Sequence, residues 1–238
     1  MNVAHYLQKG GSSDAALQVL GDGIAVLRLH GNATLEGALC GAQAFFAFGS
    51  DKLELAEEAI GRALEISERD SNPERQLALL ELSVEVALAT QDPDRITERR
   101  MALAKRYVAD GQSTAAVEVL IADLSEPKAS GGAVISALRD VLGDRPLNSH
   151  PVHWFSAVIG RVAKAGHLAE ATEWLNERLG MERGADRAHL LVVRSELAIA
   201  EGDVPTADAA LFEAIHIGQL CGIEERKNWI ARHRELAN

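Results

Sequence analysis

Two groups of side chains in this 238-residue chain have the types and spacing that chemistry requires. The first is His150-Pro151-Val152-His153, followed by Trp154-Phe155. Two imidazoles three residues apart at a helix start could share a metal ion. No third ligand is near, because Asp144 lies upstream across a proline and His167 falls at the far end of the helix that follows. The bland reading is a polar helix entry with Trp154 and Phe155 docking into a core. The second group is basic. On a helix from Pro93 to Ala109, Arg95, Arg99 and Arg106 fall within about 40° of one another at 100° per residue. The apolar stripe Ile96, Leu103 and Tyr107 runs beside them, with Arg100 on its far side. Guanidinium groups are planar forks that meet carboxylates bidentately. The plain alternative is a solvated face paired with Asp94, Glu98 and Asp110. Trp174, in the company of Glu170, Glu173 and Glu177, is a further residue that a partner could reach.

Other catalytic signatures are missing. Gly21-Asp22-Gly23 begins like a dinucleotide fingerprint but lacks the third glycine and a preceding strand, so it reads as a turn. There is no Gly-x-Ser-x-Gly elbow and no His-Glu-x-x-His. The net charge of −11 repels phosphate backbones and anionic lipid, which argues against nucleic-acid and membrane partners. The longest uncharged run, Gly37 to Ser50, is shorter than the roughly 20 residues of a membrane span. Two cysteines, Cys40 and Cys221, read as small buried hydrophobes of a reducing compartment, and Met1 to Gly10 has no apolar core, so a cytoplasmic location is expected.

The elements that would position these groups are helices. From residue 50 to 67, Leu53, Ala56, Ala59, Ile60, Ala63 and Leu64 form one apolar stripe, with Glu57, Glu58, Arg62, Glu65, Glu68 and Arg69 opposite. Val204 to Leu220 repeats the pattern. The stretches 77–89 and 188–200 are apolar on two sides, which means that they are sandwiched between neighbours. Alternation of sandwiched and one-faced helices makes a two-layer stack. Asn72-Pro73 and Asp92-Pro93 supply an N-cap followed by a proline in the first turn. Gly111, Gly166, Gly180, Gly202 and Gly222 stand where helices should end. Ile24 to Leu29 is ambiguous between strand and helix, and Ser125–Gly132 and Gly143–Pro151 read as long loops.

Aligned on Gly111, Gly166 and Gly202, the chain shows alanine at the fifth following position (Ala116, Ala171, Ala207) and leucine at the ninth (Leu120, Leu175, Leu211). Gly166 and Gly202 are 36 residues apart, near the 34-residue period of one well-known repeat class. Ala56, Ile60 and Ala63 fit a further copy. The pattern resembles the tetratricopeptide repeat. The resemblance implies an all-α fold, an α-α superhelix of antiparallel helix pairs over residues 33–222. A helical or irregular segment would precede it at 1–32, and a capping helix would follow at 223–238, sealed against the stack by Trp229. It also implies a non-enzymatic scaffold that holds a protein or peptide in a concave groove, without cofactor or metal. In such a groove Arg95, Arg99, Arg106 and Arg100, with Trp174, would face an acidic partner. Two other readings stay open: a metal-dependent helical enzyme built on His150 and His153, and a regulatory subunit that self-associates into a homo-oligomer.

Overall fold

The computed structural model describes residues 12–124, 131–143 and 151–236. Twelve helices lie among them: α1 (Ser13–Leu29), α2 (Ala33–Phe48), α3 (Leu53–Arg69), α4 (Pro73–Thr90), α5 (Pro93–Ala109), α6 (Ser113–Leu124), α7 (Gly131–Gly143), α8 (Val152–Lys164), α9 (Leu168–Met181), α10 (Gly184–Glu201), α11 (Val204–Leu220) and α12 (Arg226–Leu236). No described residue is in a strand. The segment Ile24–Leu29 is the last part of α1, and Gly21-Asp22-Gly23 lies inside the same helix rather than at a turn.

The turns explain why the helices stop where they do. Asn32, Lys52, Asn72, Gln112, His167, Asp203 and Ile223 each donate their backbone N–H to the carbonyl five residues back. That six-to-one closure satisfies an orphan carbonyl and requires a left-handed residue just before the donor. Those residues are Gly31, Asp51, Ser71, Gly111, Gly166, Gly202 and Gly222, and Gln91 is left-handed as well. Gly31, Asp51, Ser71, Gln91 and Gly111 follow one another at intervals of twenty residues. The next helix is then started by Asn32, Asn72, Asp92 or Asp203, whose side chains accept from backbone N–H groups in the first turn. Gly180 departs from expectation: it lies within α9, and Gly184, the first residue of α10, takes the positive φ instead.

The chain divides into two compact units, the first holding α1 to α6 but for Leu124, the second holding α8 to α12 with most of α7. Links of two to four residues oblige successive helices of a hairpin to run antiparallel. In the first unit α2 packs most broadly on α3, and α2 also touches α4 across it. Ala56, Ala59 and Ile60 of α3 meet Ala44 and Ala47 of α2 and Leu20 of α1 in one buried cluster. The helices come close at Gly37, where a Cβ would lie within 2.7 Å of Ile66 Cγ2. Glu36 is buried beside it and accepts from Arg28 Nε at 3.1 Å and Arg62 Nε at 3.0 Å, tying α1, α2 and α3 together. In the second unit α10 packs on α11 and α8 touches α10. The aligned positions Ala116, Ala171, Ala207, Leu120, Leu175 and Leu211 are all buried, as the repeat pattern requires. Trp229 of α12 is buried over Gly218 and meets His189 edge to face at 5.5 Å. Cys40 is buried but Cys221 is exposed in the turn after α11, contrary to the expectation for that thiol. Ser125–Gly132 and Gly143–Pro151 lie largely outside the described residues.

Candidate interaction surface

The arginines of α5 are brought together, and each is already engaged. Arg95 Nη1 donates to both oxygens of Glu57 on α3 at 2.7 Å, while its Nε lies 3.4 Å from Asp92. Arg106 reaches Asp110 at 2.6 Å and 3.0 Å and donates from Nη1 to Gln76 of α4 at 2.8 Å. Arg99 is the least committed, 3.8 Å from Glu98. Arg100 points the other way, into the core. It is buried and bonded to Asp123 Oδ1 of α6 at 3.1 Å, and the Thr97 hydroxyl donates to Asp123 Oδ2 at 2.8 Å. Arg100 is therefore a structural ion-pair member rather than a partner contact. Trp174 is corrected likewise: only 3% of it is exposed, so its indole serves the core of the second unit. Nearby, Arg178 is fully buried, stacks over the Phe155 ring at 5.4 Å and pairs with Glu182 at 2.7 Å. His153 is exposed at the start of α8, and His150 lies outside the described residues.

A different surface emerges on α2 and α4. The two helices run parallel, each antiparallel to α3 between them. Arg75 Nη1 of α4 donates to the Thr34 carbonyl of α2, and a Cβ on Gly41 would lie 3.6 Å from Leu79 Cδ2. Offsets of 41 and 38 residues between these partners set Phe45 of α2 level with positions 83–86 of α4. The side of α4 turned to α3 is marked by Gln76, which donates to the Ser67 carbonyl at 3.0 Å. Well away from it, Glu74, Ala78, Glu81, Glu85 and Ala89 share an arc of about 80°, and all five are exposed. Phe45, 62% exposed, stands on the matching side of α2, above the partly covered Ala38 and Ala42. Sequence periodicity hid this face, because α4 is apolar on two sides and its carboxylates look like ordinary solvated charge.

The carboxylates of this face are without cationic partners among the described residues. Glu81 accepts only from the Tyr107 hydroxyl, at 2.7 Å. Burial of the phenol, then the bond to Glu81 and its negative charge, push the Tyr107 pKa up to about 12. The second unit offers a hollow of about 300 Å³ between α10, α11 and α12, lined by Ser195, Ile199, Leu211 and Leu236 and crossed by the Arg232–Glu196 ion pair.

No protein-family profile matches the chain, and no curated protein matches it. Among solved structures it is similar to a kinesin light chain from Podosopora anserina with nearly identical TPR-like repeats. There the identity is 16%, the alignment covers 91% of this chain and 92% of that one, and the TM-score is 0.34. A tetratricopeptide repeat protein from Parabacteroides merdae aligns over 98% of this chain and 96% of its own at 14% identity and a TM-score of 0.28. A signal transduction ATPase from Pyrococcus horikoshii with a tetratricopeptide repeat sensor aligns over all of this chain but 38% of its own, at 12% identity and a TM-score of 0.41. These are likenesses of fold alone.

Proposed function

We propose that this protein is an interaction module: it binds another protein, or a segment of one, on the layer of helices that α2 and α4 form in its first unit. The observation that carries the reading is the contact of α2 with α4 across α3, which makes one continuous face out of helices that are not sequence neighbours. Such a face is the geometry on which an extended or helical segment can be laid. The arginine row of α5 is the weaker candidate, since an acidic partner would have to displace Glu57, Asp92 and Asp110 from it. Helical repeats of this kind act by holding partners, and we assign the chain no catalytic role.

The test is quantitative capture of partners by the tagged full chain from its host's lysate, read by mass spectrometry. A near-stoichiometric partner that rebinds the purified chain in a two-component assay is the expected result. A chain that captures nothing above background would overturn the module reading. The Arg95→Glu/Arg99→Glu variant runs beside it, and loss of the partner there with the fold intact would move the site to α5.

A further inference from the structure

We infer that the second unit holds a small-molecule site: the hollow between α10, α11 and α12 takes an apolar cation, a ring on a short chain that ends in an ammonium group. This site needs no protein partner, and it stands apart from the α2–α4 face. The hollow follows from how α12 is attached. Trp229 is buried over Gly218 near the end of α11, and His233 Nε2 lies 3.1 Å from Asp208 Oδ1 near its start. Both anchors fix α12 to α11. Toward α10 the Arg232–Glu196 ion pair spans the gap, and about 300 Å³ stays open there over Leu211. A cavity of about 150 Å³ already holds a benzene ring, so this one has room for a ring with a short chain.

The lining says what the occupant must carry. Ile199, Leu211 and Leu236 are apolar. Ser195 lies among them, 3% exposed, and its hydroxyl has no hydrogen-bond partner among the described residues. A covered hydroxyl without a partner is costly, and an N–H of a bound molecule would satisfy its oxygen. Charge decides the head group. Glu196 and Glu235 line the hollow against the guanidinium of Arg232, so the lining is net negative in a chain of net charge −11. A carboxylate ligand is repelled there and an ammonium is attracted. Glu196 and Arg232 are each about half exposed, so their pairing yields to a ligand at little cost.

Three probes share one apolar body and differ only in the head: phenylbutylamine, phenylbutanol and phenylbutyrate. Binding to the full chain at neutral pH is read by calorimetry and by the rise in melting temperature. The amine is expected to bind saturably and about tenfold tighter than the carboxylate, with the alcohol between them. Ser195→Ala should weaken the amine about threefold. Ile199→Trp adds bulk at an exposed edge of the hollow and should abolish binding of all three probes, with circular dichroism unchanged. Glu196→Gln/Glu235→Gln leaves Arg232 as the lone charge of the lining and should reverse the order, so that the carboxylate binds tightest. No saturable binding by any probe, a carboxylate that binds the parent as tightly as the amine, or affinities untouched by Ser195→Ala and Ile199→Trp alike would each overturn the inference. So would an order that survives the loss of both glutamates, which would place the amine elsewhere on this acidic chain.

Discussion

Glu36 shows how a single residue organises three helices. Burial opposes its charge, but the hydrogen bonds from Arg62 and Arg28 outweigh that, and the carboxyl is held below its ordinary value of 4.5. A depressed carboxyl contributes stability that is present above the unfolded-state pKa and is lost as pH falls through the folded one. Glu36→Gln should therefore melt below the parent at pH 7, with the gap closing as the pH falls below 4.5. A gap independent of pH would mean that the amide fails for steric reasons. Gly37, the next residue, makes a different prediction. Alanine there gains about 1 kcal/mol of helix propensity, yet its methyl would sit 2.7 Å from Ile66 Cγ2. Overpacking of this kind costs about 1 to 3 kcal/mol, so Gly37→Ala should lower stability in urea denaturation, and Gly37→Ala/Ile66→Val should recover part of the loss.

At the scale of elements, the turns can be tested one by one. Gly202 holds a φ of 77°, which an alanine tolerates poorly, so Gly202→Ala should cost about 1 kcal/mol in the second unit. Gln91 holds a φ of 55° with a side chain, and Gln91→Gly should be neutral or stabilising by up to about 1 kcal/mol. Thermal melts of both variants decide it. This is also where the sequence spoke and fell silent. The glycine turns and the Asn and Asp caps were legible, because their conformational needs are local. Asp51, Ser71 and Gln91 were not, because residues that only tolerate the left-handed region carry no signature, and without them the twenty-residue interval was invisible. Gly180 misled for the converse reason: a glycine can also sit inside a helix. On the functional side, the spacing of Arg95, Arg99 and Arg106 correctly put them on one face. Periodicity could not say that Glu57 and Gln76, 38 and 30 residues upstream, would reach across to occupy them. Trp174 looked approachable from its glutamate neighbours, but burial is decided by the helices packed against it.

For the molecule as a whole, a net charge of −11 draws basic partners in from a distance and turns acidic ones away. Raising salt from about 0.1 M to about 1 M shortens the Debye length from about 10 Å to about 3 Å. Association of a basic partner with the full chain should then slow about tenfold or more, with dissociation much less affected. A salt-insensitive association rate, measured by stopped flow or surface plasmon resonance, would assign the encounter to apolar contact alone. The regular interval of the turns carries a consequence for how such a chain can change in length. Twenty residues complete one helix and reverse the chain's direction; forty restore it. An in-frame duplication of residues 32–71 would therefore add one hairpin and leave each later helix on its original side. Duplicating only half that block would turn every later helix end for end, so that exposed residues would exchange layers with buried ones. Growth by whole hairpins is thus open to this sequence and growth by halves is closed, so the face that α2 and α4 form can lengthen only in steps of two helices.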